Sequence, residues 1–240
     1  MKQTDTFDPA FFKRLKKAER THFWFRVRRR WILDKMRKFL PPPAKVLEVG
    51  CGTGNVSSFL SEKGYEVTGC EYYSEAITRA WPGFQIVQGD AIDLPFEANS
   101  FDIVGLFDVI EHFQDDLAPV SEAVRVLRKD GIIVITVPAG EELWSCVDEA
   151  ALHKRRYTVS EIGRLFSRAG VRPLLTEYMF MSLFLPMKYM RGRRKPDDLF
   201  GINPLANAVF AGISDIERYL SKVLPLPAGT SLIAVARKDP

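Results

Sequence analysis

The sequence has few of the residues that cross-link small extracellular proteins or bind metals. Among its 240 residues there are three cysteines and three histidines. Cys51, Cys70 and Cys146 are odd in number and widely spaced, so they predict neither a disulfide framework nor a CxxC pair. No His, Cys and carboxylate residues stand together at the spacing of a metal site. We therefore expect no metal, and a zinc enzyme is disfavoured.

Long hydrophobic runs are also absent. The longest apolar run, Met179 to Met187, has nine residues, whereas a helix that spans a bilayer takes roughly 20. Residues 1–20 are charged and aromatic and lack the apolar core of a signal peptide. We therefore expect a cytoplasmic protein. Its length suits one sizeable domain, alone or with a modest accessory lobe.

Charge of either sign is plentiful but segregated along the chain. Residues 1–40 carry thirteen Lys or Arg against four acidic residues, whereas residues 41–130 carry six against fifteen. Basic segments around an acidic core suggest that an anionic group, such as a phosphate or a membrane surface, approaches from the basic side. A solvated helix face explains the same pattern equally well. A nucleic-acid partner is disfavoured, because no aromatic-interleaved basic motif is present.

Apolar periodicity divides the chain into a helical start and an α/β region. Helical spacing over residues 8–39 predicts one or two helices, and we interpret residues 1–40 as an N-terminal helical cap that Pro41 ends. In residues 41–240 short apolar strands alternate with helices, which predicts a doubly wound α/β fold with a mostly parallel sheet. The predicted strands are Val46–Val49, Val67–Glu71, Phe84–Val87, Phe101–Phe107, Ile132–Val137, Val171–Tyr178 and Ser231–Ala236.

Helix signals lie between these strands. The predicted helices there are Val56–Lys63, Ser74–Ala80 and Val120–Arg128. A capping box from Thr158 to Glu161 begins a further helix, and Asn203 followed by proline begins another that runs toward Leu220. Residues 179–227 are too long for a simple connection between two strands. We interpret them as a lid insertion.

A glycine-rich turn follows the first strand. Its sequence is Glu48-Val-Gly-Cys-Gly-Thr-Gly-Asn55, and its glycines at 50, 52 and 54 permit positive φ and close approach of a ligand to the backbone. A dinucleotide fingerprint would need glycine at position 55, where asparagine stands. Glu48 would repel a pyrophosphate, but it would attract the cationic sulfonium and ammonium groups of a ligand like S-adenosylmethionine.

Residues suited to the same ligand end the next three strands. Glu71 can accept hydrogen bonds from two ribose hydroxyls, and Tyr72 can lie against an adenine ring. Asp90 can accept a hydrogen bond from the adenine amino group. The fourth strand ends in Phe107-Asp108-Val-Ile-Glu-His112, which would face the methionine part and the transferred methyl group.

The segments VLEVGCGTGNVS, GDAIDLPF, SFDIVGLFDVIEHF and LRKDGIIVITVP, with the acidic end of EVTGCE, resemble the motifs of class I S-adenosylmethionine-dependent methyltransferases. The resemblance is strongest to the broad bacterial small-molecule group that includes the ubiquinone-biosynthesis type, and it covers residues 45–138. It implies a seven-stranded sheet with strand seven antiparallel, S-adenosylmethionine as cofactor and S-adenosylhomocysteine as product. The cofactor-binding residues that we expect are Glu48, Gly50, Cys51, Gly52, Gly54, Glu71, Tyr72, Asp90, Ala91, Phe107, Asp108 and Arg28.

The sequence departs from the family pattern at two places, and one of them bears on the class of substrate. Glu71 stands where aspartate is commoner, which is a mild change. No (Asp/Asn)-Pro-Pro-(Tyr/Phe) motif follows the fourth strand, and this absence counts against the amino-methylating DNA enzymes. Residues 21–28 and 144–158 resemble a subset of bacterial enzymes whose substrates are often lipids or saccharides. We therefore expect a small-molecule, lipid or saccharide acceptor.

Candidate catalytic side chains flank the expected methyl position. A general base is needed only if the acceptor must lose a proton, and His112, His153 and Tyr157 are the candidates. The alternatives are that His112 caps a helix or packs under the lid, and that His153 belongs to a solvated basic segment. Arg26 or Arg28 could pair with the methionine carboxylate, or simply solvate a helix face.

Three other functions compete with a methyltransferase. A nicotinamide-dependent oxidoreductase is disfavoured by Asn55 and Glu48. A catalytically silent S-adenosylmethionine-binding partner subunit is disfavoured by the intact set of strand-end residues. An RNA or protein methyltransferase is suggested by the basic segments alone. The sequence identifies neither the acceptor nor an oligomeric state.

Overall fold

The structure is a computed structural model that describes residues 9–193 and 201–239. The first eight residues of the expected N-terminal cap lie outside this range, as do residues 194–200 of the expected lid insertion and the final residue. Within the described ranges, one sheet of seven strands is flanked by helices on both faces.

The strands are β1 (Lys45–Val49), β2 (Glu66–Glu71), β3 (Gln85–Gln88), β4 (Phe101–Phe107), β5 (Leu127–Pro138), β6 (Val171–Met179) and β7 (Ser231–Lys238). The α-helices are α1 (Pro9–Thr21), α2 (Phe23–Phe39), α3 (Asn55–Glu62), α4 (Ser74–Ile77), α5 (Leu117–Val126), α6 (Cys146–Ala150), α7 (Val159–Arg168), α8 (Phe184–Met190) and α9 (Pro204–Leu220). Short 3₁₀ turns cover Ile110–His112, Glu141–Leu143, Met181–Leu183 and Arg191–Arg193.

The sheet topology confirms the predicted doubly wound fold. The strand order is β3-β2-β1-β4-β5-β7-β6, and every neighbouring pair is parallel except those of β7, which is antiparallel to β5 and β6. The order reverses between β1 and β4, where Val46 pairs with Val67 on one side and Ile103 on the other. Crevices at the carboxyl ends of such strands are where ligands bind in open α/β sheets.

Both faces of the sheet are covered by apolar side chains. On one face the fully buried Val104 packs in a cluster with Ala123 of α5 and Phe166 of α7. On the other face Trp31 and Met36 of α2, both with no exposed surface, pack among residues of β1, β4 and β5. Burial of each large side chain contributes about 1.5–3 kcal/mol. Helix α2 therefore shares one core with the sheet, and the division of the chain at residue 40 stays a prediction.

Two predicted helices differ from the structure by more than one residue at an end. The helix predicted over Val120–Arg128 begins earlier and ends at Val126, because Leu127 is extended and pairs with Phe101 of β4. The helix predicted over Ser74–Ala80 ends at Ile77. Beyond it the backbone forms tighter turns, in which the Ala80 N–H donates a hydrogen bond to the Ile77 carbonyl three residues earlier. Both differences lie at element ends, where local periodicity is least informative.

The capping signals are confirmed at two helices. Thr158 accepts a hydrogen bond from the Glu161 N–H, while the Glu161 side chain accepts one from the Thr158 N–H, as in a capping box. Asn203 accepts from the N–H of Leu205 at 2.9 Å, with proline at the first helical position of α9.

The long insertion before β7 is anchored on the N-terminal helices. The Asn207 side chain of α9 accepts a hydrogen bond from the Phe23 N–H at 2.7 Å and donates one to the Thr21 carbonyl at 2.8 Å. Arg218 of α9 forms an ion pair with Asp34 of α2. Helix α9 of the insertion therefore packs beside α2 on the same face of the sheet. The role of the insertion as a lid stays a prediction. Among the described helices none is long and apolar enough to cross a bilayer.

Candidate active site

A cavity of about 300 Å³ opens at the carboxyl ends of β1, β2 and β4. Its size is at the lower end of ligand pockets, which hold roughly 300–1,000 Å³. Residues of α1 and α2 close it from above. Of the residues singled out by the sequence, those that line it are Arg28, Glu48, Gly50, Cys51, Gly52, Glu71, Tyr72, Asp90, Ala91, Phe107, Asp108, His112 and His153.

The glycine-rich turn forms the floor of this pocket. Gly50, Gly52 and Gly54 have φ of +65°, +55° and +76°, the left-handed region that favours glycine. A Cβ on Gly50 would lie 2.8 Å from a methyl group of Val109, so that position also requires close packing. A Cβ on Gly52 would meet only Leu15, at 3.9 Å, because that position faces the cavity.

Glu71 ties the tip of β2 to the glycine-rich turn. Its Oε2 accepts a hydrogen bond from the Gly52 N–H at 2.7 Å, and its Oε1 accepts one from the Tyr73 N–H at 2.9 Å. The side chain is buried, and this burial raises the pKa of Glu71 while the backbone hydrogen bonds lower it. A carboxylate has about four acceptor positions, so Glu71 can also accept a hydrogen bond from a ligand in the cavity that it lines. The expected ribose role stays a prediction, and this geometry suits it.

Glu48 is a buried carboxylate beneath the same turn. Ser57 of α3 donates a hydrogen bond from its hydroxyl to the Glu48 Oε2. Burial raises the pKa of Glu48 to about 7, although the Ser57 hydrogen bond and the Arg28 charge both lower it. A cationic ligand in the cavity would further favour the ionised form.

Arg28 of α2 reaches across the pocket to the end of β4. It forms an ion pair with Asp108, and its guanidinium lies over the Trp24 ring at 4.6 Å. Burial lowers the pKa of Arg28 to about 10, and the charges of Glu48, Glu19 and Glu111 oppose that shift. Arg28 is thus one cation among several buried carboxylates.

The third strand contributes a polar rim. The carboxylate of Asp90 accepts a hydrogen bond from the Ile92 N–H at 3.2 Å, which holds the turn after β3. Tyr72 is partly exposed at the mouth of the cavity, on the same side as Ala91. Tyr72, Asp90 and Ala91 all line the cavity here, and the expected adenine contact stays a prediction.

Two imidazoles line the far end of the pocket, and a buried carboxylate lies beside them. The His112 and His153 rings are 5.0 Å apart between centroids, and Glu111 beside them is fully buried. Burial raises the pKa of Glu111 to about 8 and lowers that of His112 to about 3. The His153 Nδ1 lies 3.0 Å from an Asp148 oxygen, so the carboxylate orients that ring.

Comparison with known proteins identifies the type of domain that contains the glycine-rich turn. A family model described as "Methyltransferase domain" matches residues 47–135, which run from β1 into β5 and include the glycine-rich turn, Glu71 and Asp90. The chain carries a class I, S-adenosylmethionine-dependent methyltransferase domain. The cofactor of that family is S-adenosylmethionine.

Relatives of this methyltransferase domain have several names. A protein of Mycolicibacterium smegmatis named as a probable S-adenosylmethionine-dependent methyltransferase is 31% identical over 131 residues, covering 52% of this chain and 51% of that protein. A demethylmenaquinone methyltransferase of Staphylococcus epidermidis is 33% identical over 118 residues, covering 42% of this chain and 48% of its own length. The chain thus spans about half the length of these relatives.

Solved structures share the fold across most of the chain. A TehB-like S-adenosylmethionine-dependent methyltransferase of Corynebacterium glutamicum superposes with a TM-score of 0.60, at 21% identity, over 97% of this chain and 100% of that one. An S-adenosylmethionine-dependent methyltransferase of Archaeoglobus fulgidus has a TM-score of 0.60 at 20% identity, over 90% of this chain and 98% of that one. At this identity the likeness shows the fold alone.

Two predicted site residues do not line the pocket of the methyltransferase domain. Gly54 begins α3, and a Cβ there would lie 2.1 Å from the Phe84 ring, so its lack of a side chain serves packing. Tyr157 is buried, and its hydroxyl donates to Asp116 at 3.1 Å. Burial raises the pKa of Tyr157 far above its usual value, which does not favour a role as base. Both functional roles stay predictions without support from this geometry.

Two acidic residues, one lining the pocket and one buried beside it, were not singled out from the sequence. Glu19 of α1 accepts hydrogen bonds from the Thr53 hydroxyl at 2.5 Å and the Trp81 indole at 2.7 Å, and it lines the cavity. It stands in a basic helix whose sequence gives no sign of a ligand. Glu111 lies within the motif after β4, but its convergence with His153 arises only from the fold.

Proposed function

We propose that the whole chain transfers the methyl group of S-adenosylmethionine to an oxygen, nitrogen or carbon atom of a small molecule, lipid or saccharide. One observation carries the proposal. A single cavity connects the Glu71 and Asp90 end, suited to adenosine, with the His112 and His153 end. A cofactor laid along it places its methyl group near Phe107 and Asp108. Alignment of methyl and acceptor in a dry site is the main contribution of the protein, since the cofactor carries the electrophile.

The cofactor contacts that we propose follow the pocket from end to end. Asp90 and Tyr72 hold adenine, with Ala91 beside it, and Glu71 holds the ribose. The methionine part lies over Gly50, Cys51 and Gly52, where Glu48 offsets the positive charge of the ligand. Arg28 is the buried cation available for the methionine carboxylate, and engaging it would loosen its ion pair with Asp108.

The lining of the pocket favours an acceptor with an apolar or aromatic part. Side chains from the N-terminal helices and from the turn after β4 make that lining: Phe11, Phe12, Leu15, Trp24, Phe25 and Phe113. Aromatic surfaces of this kind bind flat apolar groups by burial and stacking. The similarity to demethylmenaquinone methyltransferases supports the same proposal, and a quinone-like small molecule or lipid is the acceptor class we favour.

His153 is the stronger of the two histidines as a general base. Its Nδ1 faces the Asp148 carboxylate at 3.0 Å, which fixes the ring, and the residue lines the pocket. Such a carboxylate holds an imidazole in one tautomer and stabilises the cation that forms when it accepts a proton. His112 packs against it, with 5.0 Å between the ring centroids.

We also propose a peripheral contact with an anionic membrane. The apolar run from Met179 to Met187 overlaps α8, where Leu185 and Tyr189 are more than two-thirds exposed and Lys188 and Arg191 are close in sequence. Helix α9 exposes a longer apolar stripe, made of Leu205, Val209, Ile213, Ile216 and Leu220. Exposed aliphatic residues beside basic ones are typical of surfaces that bind lipid headgroups and acyl chains. A cytoplasmic location stays a prediction.

Incubation with methyl-labelled S-adenosylmethionine tests the function. The purified chain is mixed with host metabolite and lipid extracts, and the fractions are examined for label. We expect label in an apolar small-molecule or lipid fraction, and less label with Glu71→Ala when the cofactor is below saturation. Cofactor binding without label in any fraction would instead support a silent partner subunit, whereas label in RNA or protein would support the macromolecular alternative.

A further inference from the structure

Three side chains able to bind a metal ion converge at the far end of the pocket. One ligand atom from each of Glu111, His112 and His153 lies within 4.8 Å of the other two. In a tetrahedral site with bonds of about 2.0–2.2 Å, ligand atoms lie roughly 3.4 Å apart. Side-chain rotations that move the ligand atoms inward by about an ångström would therefore bring all three to the separation of a tetrahedral site.

The Glu111 carboxylate provides an independent indication of a ligand. The side chain has no exposed surface, and neither oxygen has a hydrogen-bond partner in any other described residue. The His153 Nε2 lies 4.0 Å from the Glu111 Oε1, beyond hydrogen-bond distance. A buried carboxylate without partners is costly, and a bound cation removes that cost.

Both imidazoles are oriented as metal-binding histidines are. His153 presents Nδ1 to the Asp148 carboxylate at 3.0 Å, and Arg156 holds that carboxylate from Nε at 2.9 Å. The other nitrogen, Nε2, then faces Glu111. His112 forms a hydrogen bond with the backbone of Leu152. Histidine ligands of metals usually donate their second N–H to a carboxylate or a backbone carbonyl in this manner.

We propose that Glu111, His112 and His153 bind a divalent cation of the zinc type, with one coordination position open to the pocket. Two imidazole nitrogens and one carboxylate oxygen suit Zn²⁺ and its neighbours among the transition metals. Because His112 and His153 both line the cavity, the ion would face the acceptor. With the ion bound the two histidines act as ligands, and this role replaces the one of general base that is proposed above for His153 in the metal-free site.

The proposed ion deepens the proposed function and rests on it for the choice of acceptor. A hydroxyl or phenol bound to a divalent cation loses its proton to solvent more easily. The resulting oxygen anion forms a bond to the methyl carbon while the sulfur–methyl bond breaks, and S-adenosylhomocysteine leaves as a neutral thioether. The acceptor class is therefore an oxygen nucleophile on an apolar small molecule or lipid.

Histidine NMR on the intact chain tests the site without any substitution. The chain has three histidines, so His22 at the start of α2 is an internal control. Tag-free protein is treated with a chelator, and ZnCl₂ alone is added while the imidazole nitrogen resonances are recorded. We expect the resonances of His112 and His153 to shift with one ion per chain and those of His22 to stay. Unchanged resonances of His112 and His153 would overturn the proposal.

Calorimetry of the same zinc titration measures the contribution of the carboxylate. Glu111→Gln and His153→Gln should each weaken zinc binding at least tenfold, whereas Glu149→Gln, an exposed position on α6, should bind as the wild type does. Equal affinity in all four proteins would overturn the proposal, because the ion would then be bound elsewhere. S-adenosylmethionine binding is measured separately in chelator, so a failure of the proposed function and a failure of the metal site give different results.

Discussion

Arg28 and Asp108 form a buried ion pair, although 80 positions separate them in the chain. One lies on an N-terminal helix and the other follows β4, so the pair fastens that helix over the pocket. Asp108 itself has a φ of +57°, which is unusual for a residue other than glycine and holds its carboxylate in this direction. The pair therefore links the N-terminal helices that cover the pocket to the turn after β4.

Removal of the Arg28 charge should destabilise the fold. Arg28→Leu leaves Asp108 partly buried without its partner, and breaking a buried pair in this way costs about 3–5 kcal/mol. Asp108 keeps about a fifth of its side chain exposed, so the lower end of that range is expected. The double variant Arg28→Leu/Asp108→Leu should recover part of the loss. Urea unfolding of the wild type, the single variant and the double variant measures the free energy of unfolding. An Arg28→Leu protein as stable as the wild type would show that the ion pair does not stabilise the fold.

Glu71→Ala should weaken S-adenosylmethionine binding by about 1–3 kcal/mol, the scale of lost charge-assisted hydrogen bonds. The loss has two sources, because Glu71 faces the proposed ribose and also holds the Gly52 N–H. Calorimetric titration measures the affinity. Glu66→Ala at the exposed start of the same strand is the matched control and should bind normally. Equal affinity of the two variants would mean that the ribose is held elsewhere.

The sheet could be predicted from sequence because its signals are local. The strand Phe101–Phe107 is a continuous apolar run, and its predicted bounds agree with the structure. The start of α9 was fixed by Asn203 with a proline after it, and the side chain of that asparagine does cap the helix. Where two signals competed, the prediction failed: tertiary pairing with Phe101 made Leu127 extended, and so α5 ended earlier than its periodicity indicated.

The pocket could be predicted only in part. The glycine-rich turn and Glu71 lie at strand ends, and topology alone brings strand ends together. Glu19 belongs to a helix whose contact with Thr53 depends on how the helix docks, and no local pattern encodes that docking. Likewise, Glu111 and His153 are far apart in sequence, so a search for metal-ligand spacing could not pair them.

The affinity for S-adenosylmethionine should rise with pH. Burial raises the pKa of Glu48 to about 7, so the group gains its negative charge as pH increases through that value. A cationic ligand binds the ionised form better, and we expect affinity to improve several-fold between about pH 6 and pH 8. Since the folded pKa lies above the ordinary value of 4.5, ionisation of Glu48 costs stability in the absence of ligand, and this cost grows from about pH 4.5 to 7.

Glu48→Gln isolates this effect from other titrating groups, including Glu19 and the amino group of the ligand. The variant keeps the size of the side chain but has no charge to gain. Titrations of both proteins across the pH range should give a smaller slope for the variant. Parallel slopes would show that another group controls the pH dependence.

The exposed stripe of α9 should carry the membrane contact. Val209 and Ile216 are half or more exposed, so Val209→Ser/Ile216→Ser removes apolar surface without opening the core, and unfolding should change by less than about 0.5 kcal/mol. We expect the double variant to sediment less with phosphatidylglycerol vesicles than the wild type, and salt to weaken the binding of both. Val159→Ser, an exposed apolar position on α7, should leave sedimentation unchanged. If the double variant still binds vesicles as the wild type does, α9 is not the lipid-binding face, because a surface that holds the protein by aliphatic insertion cannot lose two of its side chains without effect.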